Sequence, residues 1–238
     1  MRRTVSSTAV ALPSSSCERT AIRRACARLT VVDVTAFVLW QLPAPPARVL
    51  EIGCGPDGGI TPALVEAGHD AIGVDPRSPD GDRFRTATFQ ELDEGPFDAV
   101  VGERVLHHVE PLGSSLDRLS RLAPLLILEE FAWEQMNEPT RDWYQSQHAA
   151  LIAAGVEPSG PADWADWEDE HVDLHRSDVL RRELAERYDE TYFEPRAYLY
   201  RWLAGPVTQP LEESLIAVGA IRPIGFRWTG VSRSSRPG

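Results

Sequence analysis

The chain contains no lysine: all 24 of its basic residues are arginine. Schiff-base chemistry and a lysine general base are therefore excluded. Cysteine is scarce, with three in 238 residues. Cys17, Cys26 and Cys54 make neither a metal-ligand spacing nor a disulfide framework, so a reducing, cytoplasmic setting is expected. No apolar run approaches the ~20 residues that cross a bilayer, and no membrane partner is expected. Positive charge is also in short supply. Acids outnumber bases 36 to 24, giving a net charge of -12 and a pI near 5.0. A nucleic-acid binder presents a basic face, so no nucleic-acid partner is expected.

What is present is a core. Apolar residues make up 42% of the chain, enough for one large α/β domain or one with an insertion. Residues 1–28 are rich in Ser, Ala and Arg and poor in acids; they read as a disordered, dispensable arm, leaving 29–238 as the domain. "VVDVTAFVLWQL" offers Asp33 as an N-cap and then a helix to Leu42, which "PAPP" ends. Strands and helices then alternate. "ARVLEIG", "DAIGVD", a weak "FRTATF", "FDAVVGE" and "PLLILEE" read as strands, with helices at "GITPALVEAG" and "LGSSLDRLSRLA". Apolar strands separated by helices predict a mostly parallel, covered sheet.

The alternation breaks at 133–187, which carries four tryptophans and two predicted helices, "RDWYQSQHAALIAAG" and "RSDVLRRELAERY", the second with Ser177 as N-cap. Sheet character returns at "YDETYFE". "PRAYLYRWLAG" reads as a helix opening on Pro195, "TQPLEESLIAVGA" as another, and "IRPIGFRWTGV" as the final strand.

The stretch "RVLEIGCGPDGG", Arg48 to Gly59, contains G-x-G-x-x-G, the fingerprint of a dinucleotide site. Gly53 and Gly55 let the backbone approach a ligand before a helix begins. Glu51, two residues before the first glycine, points elsewhere. A buried carboxylate would repel a pyrophosphate but attract the ammonium of a methionine moiety. The third glycine of the alternative pattern, E-x-G-x-G-x-G, falls at Asp57, with Gly58 and Gly59 behind it. Either the turn is one residue longer or Asp57 adopts the required backbone angles.

"VLEIGCGPDGG", "AIGVDP", "FDAVVGERVLHHV" and "LLILEE", in that order, resemble the motifs of class I S-adenosylmethionine-dependent methyltransferases. The likeness is greatest to the small-molecule (methyltransferase type 11) branch that includes ubiquinone and menaquinone methyltransferases. It covers residues 47–130, with 208–230 fitting less specifically. The resemblance implies a Rossmann-like, doubly wound, seven-stranded, mostly parallel sheet with an antiparallel final strand, and S-adenosyl-L-methionine as cofactor. Glu51 would face the donor's amino-acid part, with Gly53, Cys54 and Gly55 around it. Asp75, followed by Pro76, would accept from the ribose hydroxyls, since a carboxylate accepts two such bonds at once. Phe89 and Gln90 would border adenine, where the family often has an acid and a small residue. Gly102, Glu103 and Arg104 would lie beside the methionine moiety.

Segment 133–187, with the helix at 30–42, is the candidate helical lid over a small-molecule methyl acceptor. Trp133, His171, His175 and Tyr198 are candidate substrate contacts. His107 and His108 follow the fourth strand and are the candidate catalytic pair, because an oxygen or nitrogen acceptor has to lose a proton. On a helical turn one of them faces the cleft and the other packs. His171 and His175 are four apart and would share a helix face, but nothing completes a metal set with them, and no metal is expected. Two rival functions stand beside methyl transfer to O, N or C: a NAD(P)-dependent oxidoreductase, and a non-catalytic S-adenosylmethionine-binding regulator.

Overall fold

The structure is a computed structural model and describes residues 33–235. The expected arm at 1–28, with Cys17 and Cys26, lies outside the described residues. Helix α1, Val34–Gln41, starts where expected: the Asp33 carboxylate accepts from Ala36 N at 2.8 Å, satisfying one of the free N–H groups of the first turn.

The sheet has seven strands in the order β3-β2-β1-β4-β5-β7-β6. Strands β1 (Arg48–Ile52), β2 (Asp70–Val74), β3 (Phe84–Arg85), β4 (Ala99–Glu103) and β5 (Leu125–Phe131) run parallel. Strand β7 (Gly225–Ser232) is antiparallel to both β5 and β6 (Tyr188–Arg196). The sheet is thus mostly parallel with an antiparallel final strand, as expected. Val49, Leu50, Ile52, Val100, Ile127 and Leu128 are essentially inaccessible, which is why these strands read as unbroken apolar runs. Helices α2 (Thr61–Glu66) and α3 (Leu112–Leu122) return the chain between strands. The strand order reverses between β1 and β4, and an open α/β sheet gathers its ligands at such a switch point.

The segment between β5 and β6 holds a 3₁₀ turn at Trp133–Gln135 and helices α4 (Glu138–Ala153), α5 (Trp164–Glu170) and α6 (Ser177–Arg187). It has two parts. Helix α6 buries Leu180 and Leu184 in the main core, and Arg187 bonds Asp117 of α3 at 2.6 Å. The earlier part joins a second core of Phe131, Tyr144, Trp164, Tyr198 and Leu199, edged by Trp133, Trp167 and Trp202.

Three local expectations are corrected. Ser177 is not the N-cap of α6 but its first helical residue; its N–H and hydroxyl both go to the Glu134 carboxylate. Helix α5 stops at Glu170, so His171 and His175 share no helix face. Pro195 does not open a helix but sits in β6, an edge strand, where its missing N–H costs no ladder bond. The residues after it form a 3₁₀ turn, Leu199–Trp202. The turn forms because Glu212 on α7 (Gln209–Ala217) takes the N–H groups of Tyr198, Leu199 and Tyr200 at 2.8, 3.0 and 2.6 Å.

Candidate active site at the switch point

A cavity of about 690 Å³ opens at the carboxyl ends of β1, β2 and β4, lined by residues 53–57 and 59, Asp75, Arg77, residues 103–105, His107, His108 and Tyr198. One wall is the glycine turn. Gly53, Gly55, Gly58 and Gly59 all have left-handed φ, at 72°, 65°, 80° and 57°, and Asp57 does not. The turn is therefore one residue longer than the family pattern, and Gly58 and Gly59 take the conformation that an L side chain resists. A Cβ on Gly55 would meet nothing within 4 Å, whereas one on Gly53 would stand 2.7 Å from Val105 Cγ2. Gly53 thus admits the loop after β4, and Gly55 leaves open the space beside the cavity.

The expected donor-binding residues divide. Cys54, Asp75, Glu103 and Arg104 line the cavity with Gly53 and Gly55. Asp75 is only 8% exposed and accepts from Arg77 N at 2.7 Å through one carboxylate oxygen. The Cys54 thiol is pushed up to about 12 by burial, then by the charges of Glu51 and Asp75, so it is no nucleophile near neutral pH.

Glu51 is not in the lining. Its carboxylate accepts from Ile60 N at 3.0 Å and the Thr61 hydroxyl at 2.6 Å, at the start of α2. Burial raises its pKa, against the pull of those bonds. Glu51 therefore supports the turn from behind. Phe89 packs in the main core, Gln90 Nε2 donates to Ser115 Oγ at 3.2 Å, Gly102 is enclosed by Val105, Ile52 and Leu128, and Pro76 is exposed beside Asp75. None of these four is among the lining residues.

The residues after β4 form the opposite wall. Arg104 has φ 56°, the only left-handed non-glycine among the described residues, and such strain concentrates at functional sites. A 3₁₀ turn, Leu106–His108, follows. Both histidines line the cavity, so the expectation that one faces it and the other packs is not met. Their depths differ: His107 is 4% exposed, while His108 lies outward, its ring 4.3 Å from that of His107. His107 Nδ1 is 2.7 Å from Glu130 Oε2. Glu130 is fully buried at the end of β5 and also accepts from Leu106 N at 2.7 Å and Val105 N at 3.1 Å. Partial desolvation, then the neighbouring His107, lowers the pKa of His108; the charge of His171 adds to this.

Of the candidate substrate contacts, Tyr198 lines the cavity, its ring stacked on Phe131 at 4.2 Å. His171 stacks on Trp167 at 4.3 Å. His175 N donates to His107 O, and its Nε2 bonds Val109 O, both at 2.9 Å; it clamps the histidine turn. Trp133 packs on Trp167 in the second core. No group of His, Cys, Asp and Glu among the described residues could hold a metal, and no helix among them is long and apolar enough to cross a membrane.

Sequence reasoning missed Glu130, Val105 and Arg77. Only Glu130 left a trace, as the second acid of "LLILEE" at a strand's carboxyl end. The contacts of the other two depend on the folded loops.

Comparison with known proteins agrees with this geometry. Residues 21–188 match the model of the methyltransferase-domain family. No curated protein matches the sequence. Among solved structures, a protein of Anabaena variabilis described as a methyltransferase from an antibiotic biosynthesis pathway superposes with a TM-score of 0.53 at 16% identity, over 83% of this chain and 96% of its own. The 1,6-didemethyltoxoflavin-N1-methyltransferase of Burkholderia thailandensis, solved with 1,6-didemethyltoxoflavin and S-adenosylhomocysteine, gives 0.51 at 18%, over 94% and 93%. A Mesorhizobium loti S-adenosylmethionine-dependent methyltransferase gives 0.50 at 16%, over 83% and 96%. At these identities the likeness is one of fold, but the family match spans more than half the chain, and the chain belongs to the methyltransferase-domain family.

Proposed function

We propose that this enzyme transfers the methyl group of S-adenosylmethionine to an oxygen or nitrogen of a small molecule, with His107 as the base. The observation that carries the reading is one cavity bordered by the glycine turn, the Asp75 carboxylate and His107. The residues suit the donor: Gly55 leaves backbone open beside the cavity, and Asp75 has one oxygen committed to Arg77 N, which leaves the other for a ribose hydroxyl. When bound there, the donor would supply a methyl already activated on a sulfonium, its carbon open to the acceptor's lone pair and the electron pair of the broken carbon–sulfur bond left on sulfur. The protein's task is then to align the acceptor and exclude water. Tyr198 and Arg104 border that space, His107 takes the proton, and the 133–187 insertion, with helix α1, is the lid, its part before α6 clamped to the histidine turn through His175. Small size in the acceptor follows from a cavity that must hold the donor as well. A nucleic-acid acceptor is disfavoured by the net charge of -12, and a cytoplasmic setting belongs to the same reading.

The test is transfer of isotopic label from methyl-labelled S-adenosylmethionine into a library of phenols, enols, amines and N-heterocycles, with RNA and protein as comparators. Label in one small-molecule class supports the reading. Label in RNA or protein alone contradicts it.

A further inference from the structure

We infer that Glu130 is a positioning residue that holds His107 with its proton on Nδ1, so that Nε2 carries the lone pair offered to the acceptor. The inference rests on the reading of His107 as the base and extends it to a residue outside the cavity. The ring has two nitrogens, and the bond made by one decides the state of the other. Nδ1 stands 2.7 Å from Glu130 Oε2. Leu106 N, Val105 N and, at 3.4 Å, Phe131 N are also directed at this carboxylate. With backbone N–H groups on both oxygens, Glu130 is the acceptor throughout, and Nδ1 is the donor. Among the described residues Nε2 makes no hydrogen bond to protein. Phe131 meets the ring edge-on at 5.9 Å, which limits its rotation.

The proton balance follows. The acceptor's proton passes to Nε2 as the new bond to carbon forms, and the resulting imidazolium faces the Glu130 charge. Such an arrangement has a use only if the acceptor arrives with a proton. The substrate class is therefore a neutral O–H or ring N–H compound, such as a phenol, an enol or an N–H heterocycle. An amine or thioether that offers a ready lone pair does not need it.

The substitution Glu130→Gln separates positioning from capping. The amide oxygen would stay with Leu106 N and Val105 N, which need an acceptor, and the NH₂ group would turn to Nδ1. Nδ1 must then accept, so the proton moves to Nε2, where the lone pair is needed. The experiment is ¹⁵N NMR of histidine-labelled full-length protein saturated with S-adenosylhomocysteine, with His107 assigned by comparison with His107→Ala. Near pH 8 the expected result is the Nδ1–H tautomer in the wild type and its loss in Glu130→Gln, with S-adenosylhomocysteine affinity changed less than about twofold. A folded Glu130→Gln that keeps the Nδ1–H tautomer overturns the inference. So does a wild-type His107 protonated on Nε2, a result that needs no variant to fold. Failure of S-adenosylhomocysteine to bind would strike the methyl-transfer reading instead, and the tautomer is then read on the protein without it.

Discussion

At the residue scale, two glycines of one turn do different work. Gly53→Val drives a side chain into Val105, 2.7 Å from the nearest Cβ position, in a left-handed conformation. It is expected to distort the loop that carries the histidines and to lower both stability and donor binding. At Gly55 a Cβ would meet nothing within 4 Å, so Gly55→Val carries the same left-handed backbone strain without the Cβ clash and is expected to lower stability less than Gly53→Val while still weakening donor binding. Thermal unfolding with S-adenosylhomocysteine calorimetry distinguishes the two; equal melting temperatures would contradict the packing role of Gly53. The histidines are likewise unequal. With an acceptor in hand, His107→Ala should lower kcat by about 10²–10⁴, the range for loss of a positioned base, and His108→Ala by far less. Full turnover in His107→Ala would show that no base is needed there.

His108 also sets a pH dependence. Its pKa lies below the ordinary value of 6.5, so the folded chain binds fewer protons there than the unfolded one. Stability from this source is present above pH ~6.5 and is lost as pH falls through the lowered folded value. Urea unfolding at pH 7.5 and 5.5 should show a drop in the wild type that shrinks in His108→Gln. An unchanged drop would assign it to other groups.

At the scale of elements, legibility followed sequence distance. Strand-end acids two positions from a glycine, Glu51 and Asp75, declare the strands that carry them, and the N-cap Asp33 declares α1. What was illegible depends on partners far along the chain. The segment at Tyr198 has helical composition, but its backbone N–H groups are claimed by Glu212 of α7, and no local pattern announces that. Glu51 was placed correctly at its strand end, yet its carboxylate faces Ile60 and Thr61. Only the folded turn, with Gly59 packed against it, shows this. Glu212→Ala tests the point. Burial raises the pKa of Glu212, so removing it relieves some cost. Orphaning three N–H groups, at about 1–3 kcal/mol each, outweighs that relief, and a net loss of roughly 3 kcal/mol is expected in urea unfolding. A variant as stable as the wild type would show that the turn holds itself.

At the scale of the whole molecule, the glycine motif is ambiguous by itself, and the sheet is what gives it meaning. An order of β3-β2-β1-β4-β5-β7-β6 places the turn, Asp75 and the histidines on one cleft, although they are spread over more than fifty residues of sequence. The aromatic core under the insertion was legible only as a count of tryptophans, because which rings meet is set by the crossing of α4, α5 and the Tyr198 turn. The central claim is that this cleft holds a methyl donor and not a dinucleotide. Calorimetry with S-adenosylhomocysteine and with NADH, on the wild type and on Asp75→Ala, tests it most directly. The account predicts one S-adenosylhomocysteine per chain and no NADH binding, with Asp75→Ala weaker by about 1–3 kcal/mol, the cost of unpairing hydrogen bonds to a charged group. NADH binding without S-adenosylhomocysteine binding, or full affinity in Asp75→Ala, would contradict it.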